Sequence, residues 1–215
     1  MKLENYIDHT LLKPTATISD IKELCDNAKK HNFFAVCVNG CHTTLAKKEL
    51  GRSQVKLVVV IGFPLGANSS KCKLKEALDS IENGADEIDM VINIGWLKSE
   101  KYDLVRTEIS DIKKAIGSKI LKVIIETCYL TRKEKQDACQ LAMDANADYV
   151  KTSTGFGSGN ATFEDVQLMK DVVGDRVKIK ASGGIKDSAT ALRYIELGVS
   201  RIGTSSGIAL LRGDV

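Results

Sequence analysis

The stretch Glu87-Ile-Asp-Met-Val-Ile92 decides the fold, because it combines the composition of a buried strand with two carboxylates. Side chains alternate across a strand, so Glu87 and Asp89 lie on the same face. In a parallel sheet covered by helices that face is buried, and a buried charge needs a partner or a cavity. The interior of a closed barrel provides both.

Two further strand-like runs carry charges in the same way. Lys122 shares a face with Glu126, and Lys178 shares a face with Lys180. A doubly wound open sheet is the alternative, because the spacing of strands alone does not show closure. The paired charges favour the barrel.

Strand-like runs rich in Val and Ile alternate with segments of helical apolar spacing along the whole chain. The predicted strands are Tyr6–Thr10, Phe34–Val38, Leu57–Gly62, Glu87–Ile92, Leu121–Glu126, Ala147–Lys151, Val177–Ala181 and Ser200–Gly203. Predicted helix starts are Ser19, Thr131, Thr162 and Asp187, and predicted helix ends are Gly84, Gly117, Gly174 and Gly198. Eight such units predict a parallel α/β protein, a single (β/α)8 TIM-barrel domain over residues 1–215.

The composition excludes several classes of protein. Hydrophobic residues make up 43% and charged residues 27% of the 215 residues, which is typical of a globular protein. The net charge is +3 and the basic residues are scattered, so we expect no nucleic-acid partner. The apolar stretch 57–67 is too short to span a membrane, and the first residues contain no signal core, so we expect a cytoplasmic protein without a membrane partner.

Two lysines each close a strand-like run and precede a glycine turn. The first run is Ala147-Asp-Tyr-Val-Lys-Thr-Ser-Thr-Gly155 and the second is Val177-Lys-Ile-Lys-Ala-Ser-Gly-Gly184. Burial and a neighbouring ammonium both lower the pKa of a lysine, and a neutral amine attacks aldehydes and ketones. Lys151 and Lys180 therefore indicate Schiff-base chemistry. Either lysine could instead bind phosphate or pair with a carboxylate, and these patterns leave open which one is the nucleophile.

Further candidates lie at the carboxyl ends of the strands, where barrels of this type place their functional groups. Asp89 supplies a carboxylate for proton transfer, although an ion pair with a barrel lysine is the alternative. The turns after the last three strands predict a phosphate site, because their backbone N–H groups are free to hold an anion. Cys37 is more typical of a small buried side chain than of a nucleophile.

Several motifs in order along the chain resemble the deoxyribose-phosphate aldolases, Schiff-base enzymes of the DeoC type. The matching segments are Asp8-His-Thr-Leu-Leu-Lys-Pro14, Val36-Cys-Val-Asn39, Val60-Ile-Gly-Phe-Pro-Leu-Gly66, Gly84–Asn93, Leu121–Thr127, Val150-Lys-Thr-Ser-Thr-Gly-Phe156, Lys180-Ala-Ser-Gly-Gly184 and Arg201-Ile-Gly-Thr-Ser-Ser-Gly207. They extend over nearly the whole chain.

The resemblance implies a reaction and a set of site residues. The reaction is the reversible cleavage of 2-deoxy-D-ribose 5-phosphate to acetaldehyde and D-glyceraldehyde 3-phosphate, with no cofactor and no metal. Lys151 is implied as the Schiff-base lysine, with Asp89 and Lys180 as the proton relay. The implied substrate and phosphate residues are Asp8, Cys37, Gly155, Gly183, Gly184, Ser205 and Ser206. Relatives also imply a homodimer or homotetramer.

The chain departs from the family pattern at three places. Gly40-Cys-His42 follows Asn39 where the pattern has proline and an apolar residue, so we expect a different loop there. Phe156 stands where longer relatives have a lysine, and the sequence ends at Arg212-Gly-Asp-Val215 without a tyrosine-bearing tail. We therefore expect phosphate contacts from Gly155 and backbone, and no proton transfer from such a tail.

The sequence leaves other functions open. A transaldolase-like or isomerase activity could use the same phosphate site, and a phosphate-ligand sensor could use Lys151 only for its charge. A zinc aldolase is disfavoured because the chain has 3 histidines.

Overall fold

Parallel strands form a closed barrel at the centre of the molecule. This computed structural model describes residues 2–212, and its strands are β1 Ile7–Leu11, β2 Ala35–Asn39, β3 Lys56–Ile61, β4 Glu87–Val91, β5 Ile120–Ile124, β6 Tyr149–Lys151, β7 Lys178–Ser182 and β8 Arg201–Thr204. Each strand pairs with its neighbour in sequence, and β8 pairs with β1. The predicted eight-stranded TIM barrel is confirmed, and closure excludes the open sheet.

Helices surround the barrel between successive strands. They are α1 Ile18–Lys30, α2 Thr43–Leu50, α3 Ser70–Glu82, α4 Ile94–Lys98, α5 Tyr102–Ile116, α6 Arg132–Asp144, α7 Phe163–Val173, α8 Ser188–Glu196 and α9 Gly207–Arg212. Within residues 2–212, none of them is long and apolar enough to cross a membrane. The expectation about the chain's end lies outside the described residues, since it concerns positions up to 215.

Three of the four predicted helix starts are confirmed. At the start of α6, the Thr131 hydroxyl accepts a hydrogen bond from the Glu134 N–H, and the Thr131 N–H donates one to the Glu134 carboxylate. This reciprocal pair is a capping box. Thr162 and Asp187 cap α7 and α8 by accepting the N–H of the third helical residue. These side chains satisfy backbone donors that a helix start leaves unpaired.

The predicted start at Ser19 is wrong, because α1 begins at Ile18 and Ser19 lies inside its first turn. Thr17 is the capping residue: its side chain accepts the Asp20 N–H, and the Asp20 carboxylate accepts the Thr17 N–H at 2.8 Å. The reciprocal pair with Asp20 favours Thr17 over Ser19.

The predicted glycine stops are confirmed at the ends of the helices. Gly117 and Gly174 directly follow α5 and α7 with φ of 60° and 55°. This left-handed region is open to glycine and costly for most other residues, so the glycines end the helices there. After β2, Gly40-Cys-His42 forms a 3₁₀ turn that leads directly into α2.

The strand boundaries agree with the predictions to within about two residues, and two charged residues near them differ from the predicted pattern. β5 ends at Ile124, so Glu126 lies beyond the strand with a left-handed backbone, φ 55°. Lys178 begins β7 at the amino-terminal rim and is exposed, whereas Lys180 is buried inside the barrel. Strand alternation placed both lysines on one face correctly, but only the second lies deep enough to be enclosed.

The barrel interior divides into an apolar side and a charged side. Helix-facing side chains such as Ile88 and Met90 join the main core between the strands and helices. A separate apolar cluster contains Leu12, Ala35, Cys37, Val58 and Val60, with Phe63 packed against it. The remaining interior positions hold the charged groups that the site uses.

Candidate active site

Three of the predicted residues meet inside the barrel. Asp89 lies on β4, Lys151 is the last residue of β6, and Lys180 lies on β7. Asp89 Oδ2 accepts hydrogen bonds from Lys151 Nζ at 2.8 Å and from Lys180 Nζ at 2.7 Å. All three side chains are buried, so these contacts are shielded from water.

These groups belong to a closed ring of ion pairs across the barrel. The ring runs in the order Asp8, Lys180, Asp89, Lys122, Glu87 and Arg201. Each residue pairs with the next, and Arg201 pairs with Asp8. Three carboxylates therefore balance three cations. Lys151 is attached to this ring through Asp89, so its protonation would add an unbalanced positive charge. The charge count favours a neutral amine at Lys151.

Burial and neighbouring charges separate the two lysines. Burial lowers the pKa of Lys151 below its ordinary 10.5; Asp89 opposes this and the Lys180 ammonium adds to it. Burial also disfavours the charged form of Lys180, but Asp8 and Asp89 outweigh it and raise the pKa of Lys180 above 10.5. The Asp89 pKa lies well below 3.8: burial opposes this, but Lys122 and Lys180, together with Lys151 when it is protonated, outweigh burial. Lys151 is thus shifted toward its neutral form beside the protonated Lys180 and the Asp89 carboxylate.

A cavity of about 370 Å³ opens at the carboxyl-terminal end of the barrel. Lys151 lines it, whereas Lys180 lies below it and does not. The other lining residues are Thr10, Leu11, Leu12, Lys13, Thr154, Gly155, Phe156, Asn160, Ser182, Gly183, Gly184, Ile185, Lys186, Gly203, Thr204 and Ser205. A molecule in the cavity therefore reaches the Lys151 amine directly.

Part of the cavity wall is rich in backbone donors. The N–H groups of Gly155, Gly183, Gly184 and Ser205 make no hydrogen bond to the described part of the chain. Gly183 and Gly184 have φ of 90° and 76°, a conformation that glycine adopts without strain. Converging N–H groups of this kind form an anion site.

The remaining predicted residues lie around the cavity rather than in its lining. Ser206 lies in an adjoining groove, with its N–H donated to Thr204 Oγ1 at 2.9 Å. Asp8 is fully buried below the cavity, where it pairs with Lys180 and Arg201, and its pKa is lowered to about 2: burial opposes this but Arg201 and Lys180 outweigh it.

Cys37 is fully buried in the apolar cluster, where burial raises the pKa of its thiol. A thiol of raised pKa is a poor nucleophile, which fits the sequence-based interpretation of Cys37 as a packing residue. Within residues 2–212, no group of three or more His, Cys, Asp or Glu side chains is placed to hold a metal ion.

Sequence reasoning missed several residues of the site. Arg201 completes the ion-pair ring. The sequence pattern that could have indicated it is its position two residues before Gly203, on the inward-facing side of the last strand. Lys13 and Lys186 are exposed cations on the cavity wall. Their positions follow from how the loops after β1 and β7 fold, which strand patterns do not describe.

Two aromatic rings meet at the apolar side of the mouth. Phe156 lines the cavity and contacts Phe63 edge to face, with ring centroids 5.4 Å apart and planes at 87°. This is the favourable geometry for an aromatic pair. The position where the family pattern has lysine therefore contributes an apolar wall.

Comparison with known proteins agrees with this geometry. The family model for DeoC/LacD family aldolases matches residues 3–214. A deoxyribose-phosphate aldolase of Finegoldia magna is 55% identical over 213 residues, covering 99% of this chain and 100% of that protein. A deoxyribose-phosphate aldolase of Carboxydothermus hydrogenoformans is 53% identical, covering 100% of this chain and 96% of that protein.

Solved structures give the same result. The structure of an aldolase named QR15 is 43% identical with a TM-score of 0.95, covering 99% of this chain and 95% of the other. A tetrameric deoxyribose phosphate aldolase from Aeropyrum pernix is 34% identical with a TM-score of 0.89, covering 98% of this chain and 89% of the other. A family model and relatives that extend over nearly the whole sequence leave one assignment: the chain belongs to the DeoC/LacD family of aldolases.

Proposed function

We propose that this chain reversibly cleaves 2-deoxy-D-ribose 5-phosphate to acetaldehyde and D-glyceraldehyde 3-phosphate, as a class I aldolase. The observation that carries the proposal is Lys151, a cavity-lining lysine of lowered pKa that bonds to the Asp89 carboxylate, which also binds the Lys180 ammonium. The two relatives of 53–55% identity bear the name of this lyase activity.

Lys151 is the nucleophile in this mechanism. Its neutral amine attacks the C1 aldehyde of the open-chain sugar, and loss of water gives an iminium ion. The Lys151 nitrogen now carries a positive charge, 2.8 Å from Asp89 Oδ2 in the free protein. The carboxylate therefore stabilises the charge that develops as the carbinolamine collapses.

Carbon–carbon cleavage uses the iminium as an electron sink. The C3 hydroxyl loses its proton, the C2–C3 bond breaks, and the bonding pair moves into the iminium to give an enamine. D-glyceraldehyde 3-phosphate leaves. Protonation of the enamine at C2 regenerates an iminium, and water hydrolyses it to acetaldehyde and the free Lys151 amine.

Asp89 and Lys180 have complementary roles. In the free protein Lys180 is protonated and acts as the cation that favours neutral Lys151. Asp89 contacts both amines, so it links them in a relay that moves protons with water molecules from the cavity. Both residues are held by the ion-pair ring, which limits their movement.

The substrate phosphate binds at the wall of free backbone donors. Gly155, Gly183, Gly184 and Ser205 direct N–H groups or a hydroxyl to it, and Ser206 supports the adjoining turn. Lys13 and Lys186 add positive charge. Asp8 acts through Lys180, which it pairs with, and Cys37 forms part of the apolar wall behind the acetaldehyde carbons.

We further propose that residues 1–215 form one functional domain, in a cytoplasmic homodimer or homotetramer. The tetrameric solved relative supports an oligomer. Light scattering of the purified protein distinguishes the two assemblies, and a monomeric mass would contradict both.

Product analysis tests the proposed reaction. Incubation with 2-deoxy-D-ribose 5-phosphate should release acetaldehyde and D-glyceraldehyde 3-phosphate in equal amounts, and chelators should leave the rate unchanged. A Lys151→Met variant is the matched control and should release neither product. An isomerised sugar phosphate as the sole product would contradict the assignment.

A further inference from the structure

The mechanism gives no role to an enclosed carboxylate beside the turn that follows β6. Glu126 follows β5, is 1% exposed, and has a left-handed backbone with φ 55°. Such a conformation costs on the order of 1 kcal/mol for a residue other than glycine, so surrounding contacts must hold it. Its backbone is held on the carboxyl side by the Thr127 N–H, which donates to Thr152 O at 3.0 Å.

The Glu126 carboxylate is bound to the turn that follows the Lys151 strand. Its two oxygens accept the Thr154 N–H at 3.2 and 3.3 Å, and one also accepts the Thr154 hydroxyl. Thr154 Oγ1 in turn accepts the Phe156 N–H at 3.0 Å. A hydroxyl has one proton, so its donation to Glu126 leaves lone pairs for Phe156. The chain of bonds fixes both ends of the three-residue turn 154–156.

Packing against Glu126 fixes the same turn from a second direction. A Cβ on Gly157 would lie 3.2 Å from Glu126 Cδ and 2.8 Å from Cys128 Sγ, so the loop lies directly on these side chains. Between the two anchored residues, Gly155 lines the cavity with its N–H free of the described chain. Glu126 is not among the lining residues. Any effect on a ligand must therefore pass through the turn.

We propose that Glu126 is a positioning residue for the phosphate end of the substrate. It holds the 154–156 turn so that the Gly155 N–H faces the cavity together with those of Gly183 and Gly184. This inference rests on the proposed function. Glu126 makes no hydrogen bond or ion pair with the Lys151 amine, which bonds to Asp89, so the loss of Glu126 weakens phosphate binding and leaves imine chemistry intact.

Comparing a phosphorylated substrate with its unphosphorylated counterpart distinguishes a positioning role of Glu126 from a general effect on stability. In Glu126→Gln, KM for 2-deoxy-D-ribose 5-phosphate should rise about tenfold, with kcat within about twofold of wild type. The kcat/KM for unphosphorylated 2-deoxy-D-ribose should stay within about twofold. Thr154→Val should show the same selective loss, Thr154→Ser should retain the wild-type KM, and the double variant should add little to either single variant.

A second buried carboxylate provides the control for lost stability. Glu108 pairs with Lys73 away from the cavity, so Glu108→Gln should lower the melting temperature yet leave the ratio of kcat/KM for the two substrates unchanged. Equal losses for both substrates in Glu126→Gln, or an unchanged KM, would overturn the positioning role alone. If wild type cleaves neither substrate and forms no acetaldehyde adduct, the proposed function falls and this inference falls with it.

Discussion

At the scale of single residues, the sequence predicted the groups that meet but not all of their partners. Asp89, Lys151 and Lys180 occupy inward positions of three strands, so strand alternation was sufficient to bring them together. Arg201 was missed, and Glu126 was a strand-end candidate without an assigned role, because the importance of both lies in contacts between distant strands and loops. No local pattern reports such a contact.

Replacing Lys180 tests its electrostatic role. In Lys180→Met the positive charge that lowers the pKa of Lys151 is removed, so that pKa should rise. The rate of imine formation depends on the neutral amine, so its pH profile should move to higher pH. Borohydride trapping of the acetaldehyde imine across a pH series measures this, and a shift to lower pH would contradict the assignment.

His9 provides a prediction about acid stability. Burial lowers the pKa of His9 from 6.5 to about 4, and nearby His31 acts in the same direction. The unfolded state therefore binds a proton as the pH falls through 6.5, while the folded state remains neutral until about 4. Stability should fall across this window, by roughly 3 kcal/mol.

Urea unfolding at pH 7 and pH 4.5 checks this expectation. A His9→Gln variant lacks the titrating group and serves as the control for carboxylates that titrate in the same range. The wild type should lose more free energy of unfolding than the variant between the two pH values. Equal losses would show that His9 does not contribute.

At the scale of elements, helix and strand positions followed from local chemistry. Glycines at helix ends and capping side chains at helix starts could be predicted from the sequence, because each bonds or bends only the neighbouring turn of backbone. The predicted start at Ser19 was wrong because two nearby hydroxyl residues, Thr17 and Ser19, could each cap α1. Thr17 is the cap because Asp20 forms a reciprocal hydrogen-bonded pair with it. Contacts between elements, such as the ion pair linking α3 to α5, could not be predicted because no pattern in the sequence indicates them.

That ion pair supports a prediction about how the elements are joined. Lys73 Nζ lies 2.8 Å from Glu108 Oε2 and also donates to Val91 O at 2.8 Å, with both side chains fully buried. Lys73→Met leaves Glu108 charged and unpaired, so it should cost about 3–5 kcal/mol of stability. Lys73→Met with Glu108→Leu should recover part of this loss in urea unfolding. A double variant less stable than Lys73→Met would contradict the argument.

At the scale of the whole molecule, the decisive feature is the charge balance inside the closed barrel. Charged strand faces predicted closure correctly, because buried charges need partners that an open sheet leaves them without. The identity of those partners required the register of all the strands. Sequence periodicity does not supply that register.

The balance itself is testable at Glu87, on the ring but outside the cavity lining. Glu87→Gln removes one negative charge, so the ring becomes net positive and the neutral form of Lys151 is favoured further. The pH profile of imine trapping should move to lower pH, opposite to that of Lys180→Met. Stability should fall by about 3–5 kcal/mol, because Lys122 and Arg201 each lose a partner. A shift to higher pH would contradict the charge count.

The central claim is covalent catalysis by Lys151, and one measurement addresses it directly. The protein is incubated with acetaldehyde and borohydride, and its intact mass and peptide map are recorded beside those of Lys151→Met. We expect one ethyl adduct of about 28 Da, confined to the peptide containing Lys151 and absent from the variant. No adduct on the folded wild-type protein, or an adduct on Lys180 instead, would contradict the account.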